Sequence, residues 1–419
     1  MAARGRVAGG RDARAPARGR DVTAALEGLK VVELGQLIAG PFAGRTLADF
    51  GAQVVKVEPP GQGDPLRKWR LLQHGTSVWW QVQSRNKRSV AIDLRTAEGQ
   101  DIVRTLAREA DVLIENFKPG VMEGWGLGWD VLHALNPRLI MLRISGYGQS
   151  GPYRDRPGFG VVAEAMGGMR HLTGEPGRVP VRAGISIGDT LAALHGVIGV
   201  LLALHHRART GEGQCIDVAL YEAVFNCMES LLPEYSAFGQ VRHATGSYLP
   251  GIAPSNAYPT QGCEYVLIAG NGDSIYKRLM HAIGRDDLGQ DPALAGNDGR
   301  AQRQAEIDDA IAAWTREHSA AQVLAMLERA QVPGGKIYTI ADIAADPQYA
   351  ARGMIERITT RDGDALHVPG VVPKLSATPG ALRSTAPRLG EDTAAVLRDV
   401  GLTDAQIAAL RAKGVIDGG

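Results

Sequence analysis

Apolar positions along this chain fall into two alternating patterns. Short aliphatic runs at 29–34 (LKVVEL), 54–57 (VVKV), 89–94 (SVAIDL), 111–115 (DVLIE) and 139–144 (LIMLRI) have the length and composition of buried strands. The segments 41–50 and 98–108 between them carry apolar side chains at helical spacing. Pro41 suits a first helical position, and Gly51 stops that helix. Strand, helix and strand in succession imply a parallel sheet with right-handed crossovers, and hence an α/β fold. The longest helical run is 190–206, where Leu191, Leu194, Val197, Ile198, Leu201 and Leu202 recur at the right intervals. A strand at 215–219 and a helix at 221–231 follow.

The pattern breaks across 241–256, where Gly246, Pro250, Gly251 and Pro254 suggest a linker. A second, smaller α/β pattern occupies 257–335: a strand at 265–269, the loop Gly270-Asn271-Gly272, and helices starting near 274, 301 and 320. Proline-rich chain then leads to a late helix at 403–413, where Thr403 and Gln406 match a capping box. A first domain over 25–240 and a second over 257–335 agree with a length of 419 residues, more than one core usually serves.

Composition narrows the function. A net charge of +1 gives no pull toward nucleic acid. The longest apolar run, 197–204, is too short to span a bilayer, so no membrane partner is expected. Cys215, Cys227 and Cys263 are odd in number and lack CxxC spacing, which argues against a disulfide framework or a zinc site and for a reducing cytoplasm. Residues 1–24 place Arg4, Arg6, Arg11, Arg14, Arg18 and Arg20 among Ala, Gly and Pro, the pattern of a disordered extension rather than a targeting helix.

No HExxH, GxSxG or Walker motif occurs, and the first strand–helix turn lacks GxGxxG. The chemistry therefore falls to carboxylates. Asp189 ends the stretch VRAGISIGD at the predicted helix start, where the helix dipole favours an ionised carboxylate. Facing a cleft, such a group is a nucleophile; facing solvent, it is a cap. Spacing alone leaves both readings open. Glu33, Glu58 and Glu115 lie on or beside strands and read as structural. Ligands of open α/β sheets bind beyond the carboxyl ends of the strands, which makes Arg95, Asn116 and Phe117 candidates. Arg67, Lys68 and Arg70 flank Trp69 and are either solvated or part of a polar cleft. The Gly270–Gly272 loop is either a cover for a site or a plain turn.

Five ordered blocks carry a resemblance. They are LGQLIAGPFAGRTLADFGAQVVKVEPPGQGDPLRKW at 34–69, NKRSVAIDL at 86–94, DVLIENFKPGVMEGWGLGWDVL at 111–132, ISGYGQSGP at 144–152 and GISIGD at 184–189. From about residue 26 onward the chain resembles the family III CoA-transferases, the formyl-CoA and carnitinyl-CoA transferase group. The resemblance implies a Rossmann-like large domain with a parallel sheet plus a smaller α/β domain. It also implies that 336–419 return to the large domain and that two chains interlock as a homodimer. It puts the nucleophile on Asp189. That carboxylate attacks an acyl-CoA thioester to form an acyl-aspartyl anhydride; the acceptor acid attacks the anhydride, and CoA is returned to the acceptor. It puts CoA contacts on Ile38, Ala39, Ile92, Arg95, Asn116 and Phe117. Substrate contacts fall on Gln36 and Trp69, with Gly270, Asn271 and Gly272 as a cover that donates N–H bonds. The partners implied are a coenzyme A thioester, as substrate rather than resident cofactor, and a carboxylic acid, with no metal.

Two departures bear on the substrate. Formyl-CoA transferases carry glutamine where Ile38 stands and a basic residue where Gly124 stands, which argues against an oxalate or formate enzyme. Arg67 and Arg156 are available to replace the lost nucleotide contact. The segments SVWWQVQSRNKR and LPEYSAFGQVR look most like transferases that use succinyl-CoA with short dicarboxylates of the malate, citramalate, itaconate or glutarate type. A dicarboxylate needs a distal cation, for which Arg67, Arg170 and Arg182 are the candidates. The rival in the same fold is an α-methylacyl-CoA racemase, which carries Gly-His-Asp where this chain has Gly158-Phe159-Gly160 and so has a proton carrier that is missing here. A non-catalytic acyl-CoA-binding protein is the third reading, and the intact Asp189 speaks against it.

Overall fold

The computed structural model describes residues 24–418. The Arg-rich stretch 1–24 lies, except for its last residue, outside them. Among the described residues one sheet has seven strands. Its parallel strands are β1 (Lys30–Glu33), β2 (Gln53–Glu58), β3 (Lys87–Ile92), β4 (Val112–Glu115), β5 (Ile140–Ser145) and β6 (Cys215–Ala219). The C-terminal pair Ile416–Asp417 adds antiparallel to β3, with Ile416 opposite Ile92, so the chain end returns to the first sheet.

Spatial order runs from the C-terminal strand through β3, β2, β1, β4 and β5 to β6. The chain steps outward from β1 to β3, then restarts with β4 on the other side of β1. That reversal opens a crevice beyond the carboxyl ends of β1 and β4, where open α/β sheets take ligands.

Strand residues alternate between two cores, as a doubly covered sheet requires. Val31, Val112, Ile114, Leu142 and Ile144 pack with α1 (Ala39–Asp49) and a long helix that begins at Ile187. Val32, Val90, Ile92, Leu113 and Met141 pack on the other face with α2 (Ala97–Glu109) and with Val396, Leu397 and Ile407 near the C-terminus. A further core joins Tyr258, Val266, Ile268, Leu279, Ile311 and Val323. It is built on an antiparallel sheet of Ser255–Pro259, Tyr265–Ala269 and Gly334–Lys336.

Several boundaries differ from the sequence expectation. The first helix starts at Ala39, two residues before Pro41. A short helix, α3 (Gly160–Met166), was not expected, because its single apolar turn is held by neighbours rather than by its own pattern. The long helix, α4, spans Ile187–Thr210 with Ser186 as N-cap, so Asp189 sits in the first turn and is not the cap. At this length α4 is apolar enough to cross a membrane by composition alone. Its inward face, with Ala192, Ala193, Gly196, Val197 and Val200, is instead buried against the sheet. The helix expected at 221–231 ends early, as α5 (Leu220–Phe225), and another follows at Leu231–Phe238.

Candidate active site

The crevice between β1 and β4 is fastened by one side chain. Asn116, just after β4, accepts from the Gln36 N–H at 2.6 Å and donates to the Gln36 carbonyl at 2.9 Å. The approach needs glycine beside it: a Cβ at Gly35 would lie 2.9 Å from Asn116 Oδ1 and 3.0 Å from the Gly40 Cα. Leu37 adopts a left-handed φ of 63°, and its N–H donates to the Asp64 carboxylate at 3.0 and 3.2 Å. Asp64 in turn pairs with the fully buried Lys56 at 2.9 Å, and Lys56 also meets Glu33 at 3.3 Å and donates to the Gly35 carbonyl. Burial works to lower the Lys56 pKa, but Asp64, Glu33 and Glu58 outweigh it and keep the ammonium charged. A buried cation thus pins the turn that leads into α1.

A cleft of about 520 Å³ opens at this point. The turn 36–39 and Asn116–Phe117 form one side. Asp189 and Ser186 from the start of α4 form another. Lys118, Arg154, Arg156 and Arg182 line it as well, giving it a cationic rim. Arg156 stacks on the Tyr153 ring at 3.6 Å.

Asp189 fits because position 160 has no side chain. A Cβ on Gly160 would stand 2.0 Å from Asp189 Oδ2. Beside it, Glu164 of α3 is only 2% exposed and accepts from Arg182 Nε at 3.0 Å and Nη2 at 3.1 Å. Burial pushes the Asp189 pKa up to about 6, Glu164 adds to the rise, and Arg182 opposes it. The helix start favours the ionised form, and burial opposes it. Desolvation and a neighbouring carboxylate win, leaving a group that is ionised at neutral pH yet more basic than an ordinary aspartate, as a carboxylate nucleophile requires.

Of the residues singled out from sequence, Gln36, Ile38, Ala39, Trp69, Asn116, Phe117, Arg156 and Asp189 line this cleft together. Ile92 and Arg95 do not. Ile92 is core, and Arg95 is exposed and paired with Asp93 at 2.8 Å, because β3 lies two strands away from the crevice. Arg67 is unavailable: it is buried, bonded to Glu58 at 2.7 and 2.8 Å, and stacked on Trp80 at 3.8 Å. Arg170 lies outside the lining, whereas Arg182 is in it. Gly270, Asn271 and Gly272 do not line the cleft of the single chain. They precede the helix Asp273–Ala282, where the Asn271 carbonyl accepts from Arg300 at 2.7 Å. Sequence reasoning missed Glu164, Lys118, Arg154 and Ser186. Only Glu164 left a trace, as a lone acid within the apolar run VVAEAM.

A parallel sheet wound to both sides of a switch point, with a basic carboxylate set beside a cation-rimmed cleft, makes a site suited to an anionic ligand. The chain belongs to CoA-transferase family III, whose model matches residues 26–393, and is a CoA-transferase. It is 50% identical over 393 residues to succinyl-CoA–D-citramalate CoA-transferase of Chloroflexus aurantiacus, covering 93% of this chain and 98% of that one. It is 42% identical to the beta subunit of succinyl-CoA–L-malate CoA-transferase of the same organism, covering 95% and 100%. Among solved structures it is similar to a CAIB/BAIF family protein from Brucella suis, with a TM-score of 0.80, 37% identity, and 90% and 100% of the two chains covered.

Proposed function

We propose that this CoA-transferase moves CoA from succinyl-CoA to a short dicarboxylic acid of the citramalate or malate type, with Asp189 as nucleophile. The observation that carries the reading is the Asp189 carboxylate itself, held by Gly160 and raised in basicity at the edge of the switch-point cleft. One of its oxygens attacks the thioester carbonyl carbon, the C–S bond breaks, and CoA leaves as the thiolate. The acyl group then sits on Asp189 as a mixed anhydride. The acceptor carboxylate then attacks the Asp189 carbonyl carbon, the donor acid leaves as its carboxylate, and the CoA thiolate attacks the acceptor carbonyl carbon of the new anhydride, breaking its bond to the Asp189 oxygen and freeing the aspartate. The cationic rim suits the CoA phosphates, and the names of the relatives supply the acids.

In the same proposal two chains interlock as a homodimer in the cytoplasm, residues 257–335 form the small domain, and the Gly270–Gly272 loop covers the site in the assembled dimer. Outward-facing apolar side chains favour this, among them Ile198 (54% exposed) and Leu202 (65%) on α4, with Phe238 (81%) and Ile340 (80%) elsewhere. The decisive experiment offers succinyl-CoA with a panel of acids and digests the quenched enzyme for mass spectrometry. The acyl group should be found on the peptide that contains Asp189, and Asp189→Asn should abolish transfer. Parent-level transfer by a folded Asp189→Asn protein, or an acyl group on another residue, would refute the mechanism. Sedimentation at micromolar concentration showing a monomer would refute the dimer.

A further inference from the structure

A second cleft of about 420 Å³ lies against the first. Ser186, the N-cap of α4, belongs to both. So do two neighbouring pairs: Trp69 lines the first cleft and Arg70 the second, while Asp189 faces the first and Ile185 the second. The two spaces therefore share Ser186 as a common wall. Trp79 walls the second cleft, and His367 enters it from the strand Ala365–Pro369.

Building on the proposed transferase reaction, we infer that this second cleft holds the distal carboxylate of the acyl group and that Arg70 reads it. In this arrangement CoA runs from Asp189 toward Lys118, Arg154 and Arg156 in the first cleft. The acyl tail must leave the thioester carbon the other way, past Ser186. Asp189 is three residues beyond Ser186, about 4.5 Å along the helix axis. That step brings the far end of a four- or five-carbon diacid bonded to Asp189 level with Ser186, at the second cleft.

Arg70 is the cation suited to the far end. Arg67 is taken by Glu58, and Arg182 by Glu164. Arg70 makes no ion pair among the described residues; its guanidinium rests on the Trp79 ring, 4.9 Å from the centroid. Its backbone is left-handed, with φ 58°, a conformation that β-carbon-bearing residues rarely adopt. Such an arginine keeps its fork of donors for a ligand carboxylate. Because donor and acceptor acyl groups both pass through Asp189, one distal site serves both halves of the reaction.

The test compares succinyl-CoA with butyryl-CoA, which has the same four-carbon chain with a methyl in place of the distal carboxylate. In Arg70→Ala the KM for succinyl-CoA and for the dicarboxylate acceptor should rise about 10- to 100-fold, the usual loss for one charge-assisted contact. The inhibition constant of butyryl-CoA and the kcat at saturation should stay within about twofold. Arg70→Lys should recover part of the loss. An equal rise for both thioesters, or no rise for either, overturns the assignment while leaving the transferase reading intact. A parent enzyme that does not use succinyl-CoA overturns the proposed donor and acid class themselves.

Discussion

Replacing Gly160 with alanine tests how closely Asp189 is held. The new Cβ would stand 2.0 Å from Asp189 Oδ2 and 2.8 Å from its Cγ. Carbon and oxygen tolerate no approach much closer than about 3.5 Å, so the carboxylate must swing aside by roughly 1.5 Å. Gly160 opens α3 without a positive φ, so alanine suits its backbone and the fold should survive. A displacement of about 1 Å at a reacting group costs on the order of 100-fold in rate. The Gly160→Ala enzyme should therefore lose about 100-fold or more in kcat for CoA transfer from succinyl-CoA. Its melting temperature should stay within about 2 °C, and its affinity for free CoA, measured by equilibrium dialysis, should be unchanged, because the Asn116 side of the cleft is untouched. A kcat within threefold of the parent, with the same melting temperature, would refute the proposal that the empty position 160 holds Asp189 in place for attack.

Other outcomes follow from the same geometry. With Asp189 titrating near 6, kcat/KM should climb with pH through about 6 and level off above 7; Glu164→Gln removes the neighbouring charge and should move that limb to lower pH, whereas an unmoved limb would exclude the coupling. A carboxyl pKa raised on folding from 3.8 to about 6 makes the native state bind the extra proton, so this group's contribution to stability falls as pH rises from about 4 to 6 and stays low above. Asp189→Asn should then stabilise the fold by up to about 3 kcal/mol at pH 7.5, read by chemical denaturation, and by much less at pH 4. Asn116→Ala removes both bonds between the two turns and should cost about 1–3 kcal/mol while weakening CoA binding in the same dialysis assay. Lys56→Met leaves Glu33 and Asp64 without their shared cation and should cost about 3–5 kcal/mol in a urea titration.

Much of the architecture could be read from local pattern. The strand runs are observed within two residues of their expected ends, and 215–219 and 265–269 match their strands outright. The late capping box is also present: Gln406 N–H donates to Thr403 Oγ1 at 3.3 Å, and Thr403 N–H donates to Gln406 Oε1 at 2.8 Å. These features depend on neighbours within one turn or one pleat, which the order of residues specifies directly. Asp189 could be located too, because a helix start is a local event.

What each charge does was decided by tertiary structure. Arg67, Arg70 and Arg182 are the same side chain in sequence. One is buried on Glu58, one rests on a tryptophan in a side cleft, and one is matched by Glu164. The pKa of Asp189 depends on Glu164, 25 positions earlier, brought beside it by the packing of α3 on α4. Whether β4 restarts beside β1 or continues beyond β3 is likewise set by which sheet edge the chain meets. Side-chain periodicity responds to contacts a few residues apart. Electrostatic character responds to every charge and every excluded water within several ångströms, and only the folded chain determines which those are.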